Sequence, residues 1–284
     1  MTKLLICMSG GRTSAFMTKK ILDKYTDQYE IVVCFANTGQ ENNATLDFVK
    51  ECDDRFGFNT VWIEAKVNDG RVGSTHRIVN YETASRDGKP FEDVVAKYGI
   101  PNISYPHCTR ELKNNPVHSY IKSIGWKKGE YETALGIRSD EPKRISTVET
   151  NMNRVYPLVN WFSSDKQDVM SFWSEQEFDL QIQDYQGNCK WCYKKSTKKL
   201  LQIMDDDITI FDFPNMLEEK YGQVGNNKIK GVLTNKPRSL FRQYHTTKTL
   251  IKLFNETNYK RLNFTFDDHE QEGCAESCEA FVNN

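Results

Sequence analysis

Lys3-Leu4-Leu5-Ile6-Cys7-Met8-Ser9-Gly10-Gly11-Arg12-Thr13-Ser14 runs from an unbroken apolar stretch through a glycine pair into a helical pattern that lasts to Tyr25. An apolar run without alternation reads as a strand covered on both faces, as in parallel sheets. Downstream, Glu30 to Ala36 reads as a second strand, Ala44 to Phe56 as a helix and Thr60 to Val67 as a third strand. This βαβαβ order predicts an α/β fold, a doubly wound and mostly parallel sheet with right-handed crossovers. Such sheets bind ligands beyond the carboxyl ends of their strands. Those ends are Ser9 to Ser14 and Asn37-Thr38-Gly39-Gln40-Glu41, both polar and glycine-bearing.

Further along, Asn68 to Pro106 carries a weaker pattern with Gly70, Gly73 and Gly88, which predicts an ordered loop region with a short helix at Phe91 to Tyr98. A helix is expected over Arg110 to Ile124, kinked or starting late because of Pro116. Tyr131 to Ile137 reads as another strand, ending in Gly136-Ile137-Arg138-Ser139-Asp140-Glu141. After Val155 to Val159 the composition shifts. Helical patterns follow at Asp165 to Trp173, Thr197 to Met204, Met216 to Tyr221 and Ser239 to Phe254. The chain is therefore divided into an α/β domain at 1–160 and a mostly helical region at 161–284, which carries a CxxC and a cysteine-rich tail.

The 284 residues are 38% hydrophobic and 27% charged, which excludes disordered and collagen-like classes. Lys+Arg 38 against Asp+Glu 39 leaves a net charge of −1, so no global field draws the chain to nucleic acid or membrane. No apolar run approaches a bilayer span or a signal-peptide core, and the expected location is cytoplasmic, with no membrane partner. In a reducing compartment clustered thiols hold metal or do chemistry more often than they form disulfides. Cys7, Cys34 and Cys52 read as small buried hydrophobes, whereas Cys108, Cys189, Cys192, Cys274 and Cys278 lie in polar or charged surroundings.

Between a strand and a helix, Ser9 to Ser14 places outward-facing N–H groups, glycines that permit close approach and the positive end of a helix dipole at one spot. That combination suits phosphate. The spacing matches neither GxxxxGK[ST] nor GxGxxG.

These residues resemble the PP-loop family, whose members open with S-G-G-x-x-S after the first strand and commonly cleave ATP between its α and β phosphates. Thr38-Gly39 with Glu41, Cys108-Thr109-Arg110-Glu111-Leu112-Lys113 with Pro116, and Gly136-Ile137-Arg138 with Glu141 and Arg144 are similar to the phosphoadenosine phosphosulfate reductase branch. The resemblance implies a PP-loop, Rossmann-like domain in which Ser9, Gly10, Gly11, Thr13 and Ser14 hold phosphate and Thr38 and Gly39 lie near adenosine. Arg12, Asn37 and Gly136 join this nucleotide set, and Arg138 and Arg144 suit an additional phosphate or sulfate. Where many PP-loop ATPases carry Asp the sequence has Thr13, a departure that bears on whether Mg²⁺ accompanies the phosphates. The reductases' E-C-G-L-H tail is replaced by Glu272-Gly273-Cys274-Ala275-Glu276-Ser277-Cys278-Glu279.

Three readings of the cysteines stay open. Cys108, Cys189, Cys192, Cys274 and Cys278 include enough thiolates for a [4Fe-4S] cluster, for a zinc site, or for redox thiols. In the cluster pattern a C-C pair precedes the later CxxC; here the pair reads His107-Cys108, so one ligand is His or comes from the tail. Lys190, Lys194, Lys195, Lys198 and Lys199, with Trp191 and Tyr193, read equally as contacts to a nucleic-acid acceptor and as compensation for anionic thiolates. His76, His118, His245 and His269 read as structural or surface residues.

The function expected is a PP-loop enzyme that binds an adenine nucleotide, ATP or a sulfonucleotide, and acts in sulfur chemistry. One version adenylates an acceptor oxygen, releases pyrophosphate and installs sulfur. The other reduces a sulfonucleotide with a thioredoxin-like reductant, with Cys274, Cys278 and Arg138 as the catalytic set. A nucleotide-binding redox sensor without turnover is the rival from another class.

Overall fold

The computed structural model describes residues 1–145, 153–187, 189–229 and 232–256. The chain opens with β1 (Thr2–Met8), α1 (Arg12–Tyr25), β2 (Tyr29–Asn37), α2 (Asn43–Phe56), β3 (Val61–Lys66) and β4 (Thr75–Val79). After α3 (Lys89–Tyr98), α4 (His107–Thr109) runs through one π turn (Arg110–Asn114) into α5 (Asn115–Ser123), and β5 (Tyr131–Ala134) and β6 (Arg154–Val155) complete the sheet. The order is β4-β3-β2-β1-β5-β6; β3, β2, β1, β5 and β6 are parallel and β4 is an antiparallel edge. The expected α/β class with a mostly parallel sheet is thus present. The edge strand β4 stands where a loop was expected, because a half-exposed edge strand carries no buried alternation to read.

Leu4, Ile6 and Met8 of β1 pack on one face with α1 and α2, and Leu5 and Cys7 pack on the other with Val117 and Ile121 of α5. Both faces are covered, which is why the strand reads as continuous apolar sequence. Chain direction diverges at β1: β2 and β3 lie to one side, β5 and β6 to the other. The crevice beyond the carboxyl ends of β1 and β5 is therefore the place where such a sheet binds ligands.

Past β6 come α6 (Pro157–Asn160) and α7 (Lys166–Ser174), the latter capped by a reciprocal Asp165–Asp168 pair. The stretch after residue 160 packs back onto the first core: Trp173 lies 4.8 Å from Phe48 between ring centroids, and its indole N–H donates to the Arg12 carbonyl at 3.0 Å. A second core packs Trp191 and Tyr193 of the CxxC segment and Phe211 with Leu200, Leu217 and Leu250, from α8 (Thr197–Asp206), α9 (Asp212–Tyr221) and α10 (Thr247–Glu256), around α3. A hairpin, β7 (Asn227–Ile229) and β8 (Val232–Thr234), lies between α9 and α10. No helix among the described residues is long and apolar enough to cross a membrane.

Because Trp173 bridges α7, α2 and the loop after β1, Trp173→Ala should lower the unfolding free energy by about 3–5 kcal/mol. The loss should appear in one cooperative transition monitored by urea titration. A separate early transition with an unchanged main one would show that α7 does not belong to the sheet core.

Candidate functional site

Met8 ends β1 and Gly10 turns the chain sharply, at φ +81°. A Cβ there would come 2.5 Å from Thr45 Cγ2 and 3.1 Å from Phe35, so only glycine lets the loop pack on α2. Gly11 is the N-cap of α1 at φ −100°, with no side-chain cap on the helix start. Ser14 holds the loop from below: its hydroxyl donates to the Gly11 carbonyl at 3.0 Å, accepts the Ser9 N–H at 3.1 Å and lies 2.9 Å from the Ser9 hydroxyl. Arg12 points away, forking onto both oxygens of Asp179 (2.7 and 2.9 Å) and the Leu180 carbonyl, which anchors the loop to the segment after α7.

From β5, past the buried Gly136, Arg138 reaches across to donate to Thr13 Oγ1 at 3.4 Å. Its guanidinium also bonds Asp140 at 2.9 Å and lies 3.7 Å from Glu141, whose carboxylate takes Arg144 at 2.5 Å. Arg138 and Arg144 are thus gathered around one carboxylate. Gly11, Arg12, Thr13 and Arg138 line a cleft with Lys166, Val169 and Leu180, with an empty volume of about 430 Å³, open to solvent.

At the end of β2, Asn37 is fully buried and serves the turn: its amide donates to Glu64 Oε1 (2.7 Å) and the Ser85 carbonyl, and its oxygen accepts the Gly39 N–H. Glu41 folds back to accept the Thr38 N–H (2.9 Å) and hydroxyl (2.8 Å). Thr38 Oγ1 then lies 3.5 Å from Cys189 Sγ. The CxxC segment is stitched to this turn, since Lys190 N–H donates to the Gln40 carbonyl and Trp191 Nε1 to its side chain at 2.6 Å.

Cys108, Cys189 and Cys192 all line a single pocket with Thr38, Lys113, Lys194 and the rings of Phe91, Trp191 and Tyr193, with an empty volume of about 380 Å³. Lys113 also lines a neighbouring cavity with Ser9, Cys7 and Cys34, so one buried lysine stands between the glycine loop and the thiols. Burial raises the Cys189 thiol well above its ordinary range; Glu41 adds to this and Lys113 opposes it. Among the described residues no three His, Cys, Asp or Glu side chains converge closely enough to hold a single ion. His107 turns away from the pocket, donating Nε2–H to the Gly99 carbonyl at 3.1 Å. Cys274 and Cys278 lie outside the described residues.

Lys195, one of the five clustered lysines, is buried and donates to the Tyr185 and Gly187 carbonyls, which supports the CxxC turn from beneath. His76 and His118 bond to Ser119 and Tyr131. Lys113 and the buried carboxylates Glu41, Glu64 and Glu111 are site residues to which sequence reasoning gave no role. Glu41, Glu111 and Lys113 stood in the landmarks that carry the resemblance, Glu41 with a three-residue spacing from Thr38 as well, whereas Glu64 carried no signal.

No family model matches the chain. It is 28% identical over 290 residues to an uncharacterized nin region protein of Escherichia phage lambda, across 98% of this chain and 94% of that protein. It is 24% identical over 164 residues to an uncharacterized protein of Methanocaldococcus jannaschii, across 55% of this chain and a third (33%) of that protein.

Burial, followed by the nearby Arg238 charge, lowers His107 from 6.5 to about 4. Between those pH values the unfolded chain binds the proton and the folded one does not, so stability is complete above about pH 6.5 and falls toward pH 4. The loss is about 3 kcal/mol. His107→Gln keeps an N–H for Gly99 and removes the titration, so the stability gap between wild type and variant should shift by that amount from pH 7 to pH 4. A pH-independent gap would contradict the assignment.

Proposed function

We propose that this chain is a PP-loop enzyme of the phosphoadenosine phosphosulfate reductase family, binding an adenine nucleotide at Ser9 to Ser14 and acting in sulfur chemistry. The observation that carries the reading is the adjacency of three thiols to the glycine loop, with Lys113 lining both cavities. A phosphate cradle and a cysteine pocket sharing one cation suit a reaction in which an activated nucleotide meets sulfur.

The loop's N–H groups and the α1 dipole take the phosphates, and Arg138 is stationed at Thr13 to neutralise charge on them. Three thiols that line one pocket without converging on a point suit a cluster better than a single zinc, which needs four ligands converging on one point. Cys108, Cys189 and Cys192 would hold a [4Fe-4S] cluster together with Cys274 or Cys278, and His107 would not. The cluster, when bound, would supply a centre for relaying sulfur or electrons.

Adenylation with sulfur transfer is the leading reaction. The acceptor oxygen attacks the α phosphorus and pyrophosphate leaves along the loop; hydrosulfide, the sulfur co-substrate, then attacks the atom bearing the adenylated oxygen, forming the bond to sulfur as that oxygen departs with AMP. The acceptor is a nucleic acid or another oxygen-bearing molecule. Burial raises the Cys189 thiol, which disfavours its direct attack as a free thiolate on a sulfonucleotide. Sulfonucleotide reduction is the second reading, favoured by the Arg138–Glu141–Arg144 group, whose two guanidiniums suit an extra phosphate.

Incubation with ATP plus mixed nucleic acid, and separately with sulfonucleotide plus thioredoxin, should yield pyrophosphate in the first mixture; sulfite in the second selects the reductase. Neither product would favour a nucleotide-binding sensor. Gly11→Ala leaves the backbone unstrained and sets a methyl where phosphate approaches, so nucleotide affinity should fall at least about tenfold, or 1.4 kcal/mol. Unchanged calorimetric binding would remove the loop assignment.

Cys189→Ser should strip iron and acid-labile sulfide from protein purified without oxygen, whereas His107→Gln should retain both. Equal metal content in the two variants would overturn the ligand set.

A further inference from the structure

Cys108 and Lys113 are five residues apart, yet both line the thiol pocket, together with Thr109 and Leu112. An α-helix turns roughly 100° per residue, which would leave positions five apart about 140° apart around the axis. A straight helix would set the lysine and the sulfur at opposite edges of the broad face that Thr109 and Leu112 share. The π turn narrows that separation: Asn115 N–H donates to the Arg110 carbonyl, an i→i+5 closure that takes one additional residue and brings the fifth position round toward the first.

A π turn is rare, so something must hold it. Glu111 lies inside it, 2% exposed. Its Oε1 accepts Arg110 Nε at 2.8 Å, and its Oε2 accepts Asn115 Nδ2 at 3.1 Å. One carboxylate thereby joins the residues whose backbone bond closes the turn. Oε2 also accepts the Ser74 N–H at 2.9 Å and hydroxyl at 3.0 Å, docking the turn on the loop before β4. That loop passes close to the turn at Gly73, where a Cβ would stand 2.8 Å from Asn115 Nδ2 and press on the amide that bonds Glu111. Burying a carboxylate is costly unless such donors surround it, and here they come from both the turn and the loop.

We propose that Glu111 is a positioning residue, which holds the π turn and so keeps Cys108 and Lys113 on one face of the thiol pocket. This is independent of which sulfur reaction the pocket serves. It explains why a buried cation lines the pocket of three sulfurs closer round the axis to Cys108 than α-helical spacing alone would bring it.

The test is geometric. In Lys113→Cys, dibromobimane should bridge residues 108 and 113, with the linked peptides identified by mass spectrometry. Adding Glu111→Ala, or Gly73→Ala with Glu111 intact, should reduce that bridge several-fold. A Leu112→Cys reporter, four residues from Cys108 and on the same face in either helix type, should continue to bridge to Cys108 in both backgrounds. Circular dichroism verifies folding, and Glu111→Gln replaces Glu111→Ala if the latter does not fold. A bridge that never forms in Lys113→Cys, or that persists undiminished in both backgrounds, overturns the proposal.

Discussion

Burial of β1 on both faces is the constraint on which the rest of the molecule depends. Leu4, Ile6 and Met8 are claimed by one layer of helices and Leu5 and Cys7 by the other, so no polar chemistry can be placed along the strand. Polar residues are displaced to its carboxyl end, where Gly10 turns the chain against α2 and the start of α1 has no side-chain cap for its N–H groups. The same end carries β2 and β5, because parallel strands point their carboxyl termini the same way. One packing requirement therefore gathers Ser9 to Ser14, Asn37 to Glu41 and Gly136 to Arg144 at a single edge.

That edge is held by four carboxylates, three on buried residues and one, Glu141, on a half-buried one. Glu41, Glu64, Glu111 and Glu141 each accept a backbone N–H from a loop, respectively those of Thr38, Ser85, Ser74 and Arg138. A loop cannot hydrogen-bond itself as a helix does, and a carboxylate with four lone-pair sites can satisfy several orphan donors at once. Glu41 and Glu141 lie within their own loops. Glu64 and Glu111 reach between segments, and they tie the β2 turn and the cysteine-bearing helix to the region around β4. The strand that sequence reasoning missed is the element against which two of the four supports are built.

The region after residue 160 serves the edge in two ways. Trp173 and Asp179 bind the glycine loop, through the Arg12 carbonyl and guanidinium. The CxxC segment is stitched to the β2 turn through Gln40. The composition shift at residue 160 thus marks a change from alternating strands and helices to helices alone, while Trp173 and Leu180 continue the core of the first unit. Likewise Pro116, which has no N–H to donate, lies immediately beyond the π turn at the start of α5, so the interruption expected from its sequence takes the form of a widened turn.

The strand-helix alternation, the parallel sheet and the glycine loop were legible in the sequence because each rests on local patterns: apolar runs, helical periodicity and residue types that a turn demands. Pairing of Cys189 with Cys192 was legible for the same reason. The approach of Cys108 to that pair, the station of Lys113 between two cavities and the withdrawal of His107 to the Gly99 carbonyl were decided by tertiary structure alone. The direction of a side chain on a helix follows from the turn beneath it. At Arg110–Asn114 that turn is set by hydrogen bonds from Ser74, thirty-seven residues away in sequence, which no local pattern records.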